Sequence, residues 1–423
     1  MILSNYVFST ESMNKKYGLL YNSKTDFFLR YNLNDFQDLK ELEKYDEIVR
    51  FLEEHDFIKK ENEKKEVAEI INQSIKSEDT LMLILKVTRK CNFRCVYCYE
   101  DYSKPLMEDE VQNGIINFVE KELKKGKIKN LVISWFGGEP MLNIDGIKKM
   151  ASVFIRICNE YEVIYTSNIV TNGYLLDKKN VDILLNCGID TFQITVDGPE
   201  HIHNKQRRSL DGKKTYGTIL KNLFDLKDRK EKFSVILRTN ISKQMLGRMD
   251  EYIEDIKPLF QDERFYALYH PVVDFDTMVH EVSDRQILDE MLYGIKKGMR
   301  FTPLTEFLSI KNSLCYAMQE NRYVVDVDGT ISKCTVVNEP YSIVGFISKD
   351  GTIVFNKNEN VWKGARISDK CTECNYFAAC GGGACPLYYL KRGHARCMKY
   401  KDEEMYVLKI ADLQEVYDLI LHL

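Results

Sequence analysis

The hydrophobic and polar positions change rhythm along the chain. Between residues 81 and 275, short apolar runs alternate with longer amphipathic stretches. The runs are Leu81–Val87, Leu131–Trp135, Val163–Val170, Thr191–Val196, Phe233–Leu237 and Phe265–Tyr269. A helical pattern of Val111, Ile115, Phe118, Val119 and Leu123 separates the first two, and Val181, Leu184 and Leu185 separate the third from the fourth. Strand then helix, repeated about six times, predicts parallel β/α units wound into a barrel or an open sheet. In such barrels the residues just after the strands form the face that carries active sites. Before this region, Tyr6–Phe8, Tyr17–Tyr21 and Asp26–Tyr31 read as short strands, with a turn at Asn22-Ser-Lys-Thr25. Asn34 is placed to cap a helix through Leu39 and Leu42, and a second helix carries Ile48, Phe51 and Leu52. The charge run Lys59–Glu66 reads as a solvated helix face or linker. After about residue 305 only short strand-like runs such as Tyr323–Val327 remain, and Glu403–Leu423 returns to a helical pattern.

Composition narrows the class. With 423 residues the chain suits about two or three domains. It is 44% hydrophobic and 29% charged, which excludes wholesale disorder. Charges nearly balance, 60 Lys+Arg against 64 Asp+Glu, so nothing asks for a nucleic-acid partner. No apolar run approaches the roughly 20 residues of a membrane-spanning helix, and the first residues do not read as a signal peptide. A cytoplasmic setting without a membrane partner is expected. The 12 cysteines therefore read as metal-binding or redox-active thiols rather than disulfides.

Three of them follow the first barrel strand as Cys91-Asn-Phe-Arg-Cys95-Val-Tyr-Cys98. Three thiolates so close can hold three irons of a four-iron cluster and leave the fourth iron open. Zinc would want a fourth ligand, and no nearby Cys or His supplies one. Further motifs stand after later strands: Gly137-Gly-Glu-Pro140 after the second, Thr171-Asn-Gly173 after the third, and Thr195-Val-Asp-Gly-Pro199 after the fourth, with His203 and Arg207 downstream. Alone, Gly137-Gly138 or Asp197-Gly-Pro199 would be turns and Arg207 a surface cation.

In this order the motifs resemble the radical S-adenosylmethionine (radical SAM) superfamily. The resemblance implies that Cys91, Cys95 and Cys98 ligate a 4Fe-4S cluster. Gly137, Gly138, Glu139 and Pro140 match the motif that holds the methionine amino group of the cofactor. Tyr97 matches the aromatic that packs on adenine, and Thr171, Asn172, Thr195, Asp197 and Arg207 fall in the region that holds ribose and carboxylate. The implied chemistry is reductive cleavage of S-adenosylmethionine to a deoxyadenosyl radical that abstracts hydrogen from an unactivated C–H bond. A reducing donor such as flavodoxin or ferredoxin is expected. The general base is not named by the sequence.

The later cysteines resemble a SPASM domain, the extension that carries two auxiliary 4Fe-4S clusters, which makes three clusters in all. The resemblance assigns Cys371, Cys374, Cys380 and Cys397 to a distal cluster and Cys315, Cys334 and Cys385 to a proximal one. That set is one ligand short, and nearby Ser309 is a poor iron ligand. One departure is Gly381-Gly-Gly-Ala384, which puts four residues where the family usually has three. A pair of zinc sites is the plain alternative for this segment. Cys158 and Cys187 read as packing residues.

The expected architecture is α/β: a partial (β/α)6 radical SAM barrel over 79–304, an N-terminal winged-helix-like α+β module over 1–78, a SPASM domain over 305–402 and a C-terminal helix over 403–423. The N-terminal module resembles the recognition element of maturases that bind the leader of a ribosomally made precursor peptide, by adding a strand to a sheet edge. Anaerobic sulfatase maturases place an acidic base directly after the second SPASM cysteine, where this chain has Thr335, and they lack such an extension. The expected activity is thus peptide maturation by cysteine-to-carbon thioether crosslinking, with the open proximal iron binding the substrate thiolate. The alternatives are carbon–carbon or carbon–oxygen crosslinking, sulfatase-maturase-like oxidation and a non-catalytic iron–sulfur electron carrier.

Overall fold

The computed structural model describes residues 2–36, 39–102, 106–312, 314–336, 339, 341–363, 369–383, 385–394, 397 and 403–421. The chain packs as two units, one of residues 1–76, 303–319 and 363–423 and the other of residues 77–302 and 320–362. The stretch expected to form one C-terminal domain thus contributes to both.

In the first unit the aromatic and branched runs form an antiparallel sheet of β1 (Val7–Glu11), β2 (Tyr17–Asn22) and β3 (Phe27–Asn32), with β2 in the middle. The turn after β2 is fixed by the Asn22 side chain, which accepts the Lys24 amide at 2.9 Å. Helices α1 (Asp46–Glu54) and α2 (Glu63–Ile75) follow. Leu20, Leu52 and Phe57 are fully buried together. Two expectations change. Asn34 does not cap a helix: its amide is held by the Asn32 side chain at 2.9 Å in a turn. The short helix begins at Leu39, and Gln37 and Asp38 lie outside the described residues. Nor is the whole charge run solvated, because Glu63 is buried and accepts the Asn5 amide at 2.9 Å. Glu403–Leu421 is a helix, and its buried Asp412 pairs with Arg30 at 3.3 Å.

In the second unit the six apolar runs become parallel strands in chain order: β4 (Thr80–Thr88), β5 (Asn130–Gly137), β6 (Ile164–Thr171), β7 (Ile189–Thr195), β8 (Ser234–Ile241) and β9 (Phe265–Pro271). Near-continuous hydrophobicity suits strands covered by helices. Helix α3 (Asp109–Lys124) buries the stripe the sequence predicts, including Ile115, Phe118, Val119 and Leu123. The strands connect through α4 (Ile144–Glu160), α5 (Lys178–Asn186) and α6 (Tyr216–Lys227). Residues of β6 and β7, with Ile236 of β8, line a cavity of about 470 Å³. Beyond β4 the sheet continues through β10 (Arg322–Val325), parallel to β4, and then antiparallel β11 (Thr330–Ser332), β12 (Ile343–Ile347) and β13 (Ile353–Phe355). The result is a mixed α/β unit around a central parallel sheet.

Candidate active site

The C-terminal ends of β4 to β8 converge on the loop that holds the first three cysteines. Gly137, the last residue of β5, has φ +127°, and a Cβ there would lie 2.1 Å from the Thr88 carbonyl oxygen. The chain then stitches itself to the start of the cysteine loop. The Gly138 amide donates to the Thr88 carbonyl and the Glu139 amide to the Lys90 carbonyl, both at 2.9 Å. Only glycine permits so close a backbone approach.

Glu139 is fully buried. Its carboxylate accepts from the Thr171 hydroxyl at 2.7 Å, the Asn172 amide at 2.8 Å and the Met141 amide at 3.1 Å. Burial raises its pKa, and these three donors oppose the shift. Pro140 opens a short 3₁₀ turn behind it. Asn172 in turn donates to the Asn92 side chain at 2.7 Å, inside the cysteine loop.

A second buried knot lies after β7. Thr195 ends that strand, and Asp197 is completely buried. Asp197 accepts the Asn240 amide at 2.8 Å and the Tyr97 hydroxyl, and Arg207 stands 3.7 Å away. Arg207 donates to the Tyr97 oxygen at 2.7 Å. The Asp197 amide donates to His203 Nδ1 at 3.1 Å, so Nε2 carries the proton toward Thr215. Burial, then Arg207, lowers the His203 pKa well below its usual value, which keeps it neutral. Arg207 itself is not a surface cation. A two-stranded pairing of Phe93–Cys95 with Arg207–Ser209 sets it opposite Cys95. Its Nε and the neighbouring Gln206 Oε1 are buried without a partner among the described residues.

Within the loop, Cys91 is buried, Cys95 half-buried and Cys98 exposed. Burial pushes the Cys91 thiol up to about 12, with Glu139, Cys95 and Cys98 adding to the shift after the Phe93 amide opposes it. That amide approaches Cys91 Sγ at 3.3 Å. Arg94 braces the loop by donating to the Cys91 and Phe93 carbonyls at 2.9 and 2.7 Å. Tyr97, Cys98 and Tyr99 line one side of a cavity of about 990 Å³, and Asp274–Thr277 and His280 line another.

Several polar groups near this face carried no sequence motif. Asn240 ties Asp197 to Tyr97, to which its side chain donates at 3.1 Å. Lys86 is buried, with Glu100 at 2.8 and 3.0 Å and the Thr335 carbonyl at 2.9 Å. Tyr99 donates to the Thr335 hydroxyl at 3.4 Å. The available signal was polar residues such as Lys86, Arg238 and Asn240 inside apolar strand runs.

Of the later cysteines, Cys371, Cys374 and Cys380 share one segment of the first unit. The Cys374 amide donates to the Cys371 carbonyl at 2.9 Å. Burial raises the Cys380 thiol pKa, the Gly382 and Gly383 amides lower it, and Cys371 and Cys374 raise it again. Cys385 accepts the Tyr388 amide at 3.4 Å at the start of a helix. Cys397 is exposed. Cys315 and Cys385 belong to the first unit and Cys334 to the second. Ser309 is fully buried and accepts the Lys311 amide at 3.2 Å. Ala384 lies outside the described residues. Cys158 and Cys187 are buried, and burial lifts each thiol to about 11. Among the described residues, no three His, Cys, Asp or Glu side chains close around a point as one metal ion requires. Thiolates that each bind a different corner of a cluster stand farther apart.

The sequence model of the radical SAM superfamily matches residues 85–256, the segment that contains the first cysteine loop and both buried knots. The chain carries a radical SAM domain. It is 22% identical over 331 residues to a cysteine-type anaerobic sulfatase-maturating enzyme of Clostridium perfringens, covering 71% of this chain and 88% of that protein. It is 29% identical over 172 residues to the radical SAM cyclopropyl synthase TigE of Paramaledivibacter caminithermalis, covering 37% of this chain and 35% of that one. Among solved structures, native anSMEcpe with bound AdoMet superposes with a TM-score of 0.61 at 18% identity, over 81% of this chain and 100% of that one. Streptococcus suis SuiB bound to S-adenosylmethionine superposes with a TM-score of 0.53 at 14% identity, over 94% and 99%.

A radical SAM domain implies S-adenosylmethionine and a 4Fe-4S cluster, and the residues present fit both. Three neighbouring thiols, one of them approached by a backbone amide, suit a cluster. The orphaned Arg207 Nε suits an anionic group brought into the knot. Among the described residues, no helix is long and apolar enough to cross a membrane.

Proposed function

We propose that this chain modifies a ribosomally made precursor peptide by joining a cysteine sulfur to a carbon of another residue. The observation that carries the reading is the radical SAM domain's cysteine loop, which opens on a cavity of about 990 Å³ beside the Asp197–Arg207 knot. That volume admits a stretch of peptide. Cys91, Cys95 and Cys98 would hold the cluster. Glu139 positions Thr171 and Asn172, while Asp197, Tyr97 and Arg207 form the polar wall that orients the cofactor. When bound, the cofactor supplies a deoxyadenosyl radical that takes one hydrogen atom from the peptide. Closing the C–S bond would release the thiol proton and one electron, which an auxiliary cluster held by the later cysteines would accept. We assign Cys371, Cys374, Cys380 and Cys397 to a distal cluster and Cys315, Cys334 and Cys385 to a proximal one with an open iron. A reducing protein such as flavodoxin or ferredoxin supplies the initiating electron.

The N-terminal three-stranded sheet would bind the leader. Support comes from SuiB, a structure of which contains a precursor peptide and whose fold spans 95% of this chain. A second reading, sulfatase-type oxidation, is favoured by the 22% identity to the Clostridium perfringens enzyme. Thr335 weighs against it, since a hydroxyl stands where those enzymes place a carboxylate.

Mass spectrometry of a leader-bearing peptide incubated with reduced holoenzyme decides between them. Loss of two hydrogens per bridge, with the joined thiol no longer alkylated, is expected. Conversion of a cysteine to an aldehyde with loss of its sulfur supports the oxidation, and that result, a mass change that leaves every thiol open to alkylation, or no change, contradicts the thioether.

A further inference from the structure

Tyr6, the residue before β1, is fully buried. Its ring packs in a cluster with Ile71, Ile310, Phe377 and Ala378, against which Cys371 also packs. Phe377 and Ala378 belong to the helical turn Phe377–Cys380, which begins three residues after Cys374. Two places along the chain, the Phe8 ring meets Tyr376 of the same loop with centroids 5.4 Å apart. The placement is firm, because the Tyr6 carbonyl accepts the Ser23 amide at 3.0 Å and its hydroxyl at 2.9 Å.

Yet the Tyr6 hydroxyl is buried with no hydrogen-bond partner among the described residues. Such a group is costly unless something completes it. Glu63, the neighbouring carboxylate, is taken up by the Asn5 amide. An ordinary phenol keeps its proton at neutral pH and is an O–H donor.

We propose that the Tyr6 hydroxyl donates a hydrogen bond to a sulfur of the auxiliary cluster held by Cys371, Cys374 and Cys380, and so raises that cluster's reduction potential. This rests on the assignment of those cysteines to a cluster. A donor aimed at cluster sulfur favours the reduced, more negative state. Tyr6 acts as a positioning and tuning group of the N-terminal module, not as a catalytic residue.

The test is redox titration followed by electron paramagnetic resonance on the full chain with Cys91, Cys95 and Cys98 replaced by alanine, which leaves only the C-terminal clusters. Cys374→Ala identifies the distal signal. Tyr6→Phe should keep the iron content and the melting temperature but make the distal cluster about tenfold harder to reduce, ~59 mV for one electron. Tyr21→Phe is the control. That hydroxyl bonds the Asp26 side chain at 2.5 Å and the Thr305 carbonyl at 3.1 Å, so its loss should lower stability and leave the potential alone. An unchanged potential in Tyr6→Phe at full iron content overturns the inference. No loss of iron in Cys374→Ala overturns the cluster assignment and the inference with it.

Discussion

Replacing Cys91, Cys95 and Cys98 together with alanine is expected to remove about four irons per chain and all conversion of S-adenosylmethionine to deoxyadenosine, while the fold persists. The loop takes most of its bracing from groups other than its sulfurs, the Phe93 amide on Cys91 Sγ being an exception. Arg94 braces two of its carbonyls, Phe93–Cys95 pairs with Arg207–Ser209, and Asn172 holds Asn92 at 2.7 Å. None of these bonds involves a thiol, so the melting temperature of the metal-free variant should match that of the metal-free parent. Iron analysis and chromatographic detection of deoxyadenosine check the result. Cleavage that survives the triple substitution contradicts the assignment of this loop.

The second large effect is expected from Gly138→Ala. The added Cβ would lie 2.4 Å from the Lys90 carbonyl oxygen and 2.6 Å from that of Arg89. Both obstacles are backbone, so neither can rotate away. Either the end of β5 or the start of the cysteine loop must move, and the amide bonds of Gly138 to Thr88 and of Glu139 to Lys90 are lost. Glu139 is then pulled from Thr171 and Asn172. A strain of about 3 kcal/mol at this point is expected to weaken cofactor affinity about 100-fold, ~2.7 kcal/mol. Calorimetric titration of the reconstituted enzyme with S-adenosylmethionine measures it. Gly217→Ala serves as the contrast. Gly217 sits in α6 with nothing within 4 Å of its would-be Cβ, and the change should stabilise the chain by roughly 0.5–1 kcal/mol without touching cofactor affinity.

The six barrel strands were legible because parallel strands covered by helices are apolar almost throughout. Their ends were less so. The run Phe233–Leu237 stops short of Ile241 because Arg238 and Asn240 interrupt it, and Asn240 is polar precisely where β8 meets Asp197. The strands 330–332, 343–347 and 353–355 are short antiparallel additions, below what a period-two pattern can reveal. Arg207 illustrates a deeper limit. Its place opposite Cys95 comes from a pairing across more than a hundred residues, and nothing local distinguishes it from a surface arginine. Glu63 is similar: six of the eight residues in its run are other charges and a solvated face was the natural reading, but long-range packing against Asn5 buried it. Tyr6 read only as a strand aromatic, because an orphaned hydroxyl exists only once the fold closes around it.

The most direct measurement follows hydrogen from substrate to cofactor. A leader-bearing peptide, deuterated at its carbon-bound positions, is incubated with reduced enzyme and S-adenosylmethionine in ordinary water, and the deoxyadenosine is examined by mass spectrometry. Deuterium in the deoxyadenosine, in step with formation of an alkylation-resistant crosslink, is the expected result. Deoxyadenosine that forms without deuterium while the peptide keeps its mass would contradict a role in radical modification of that peptide.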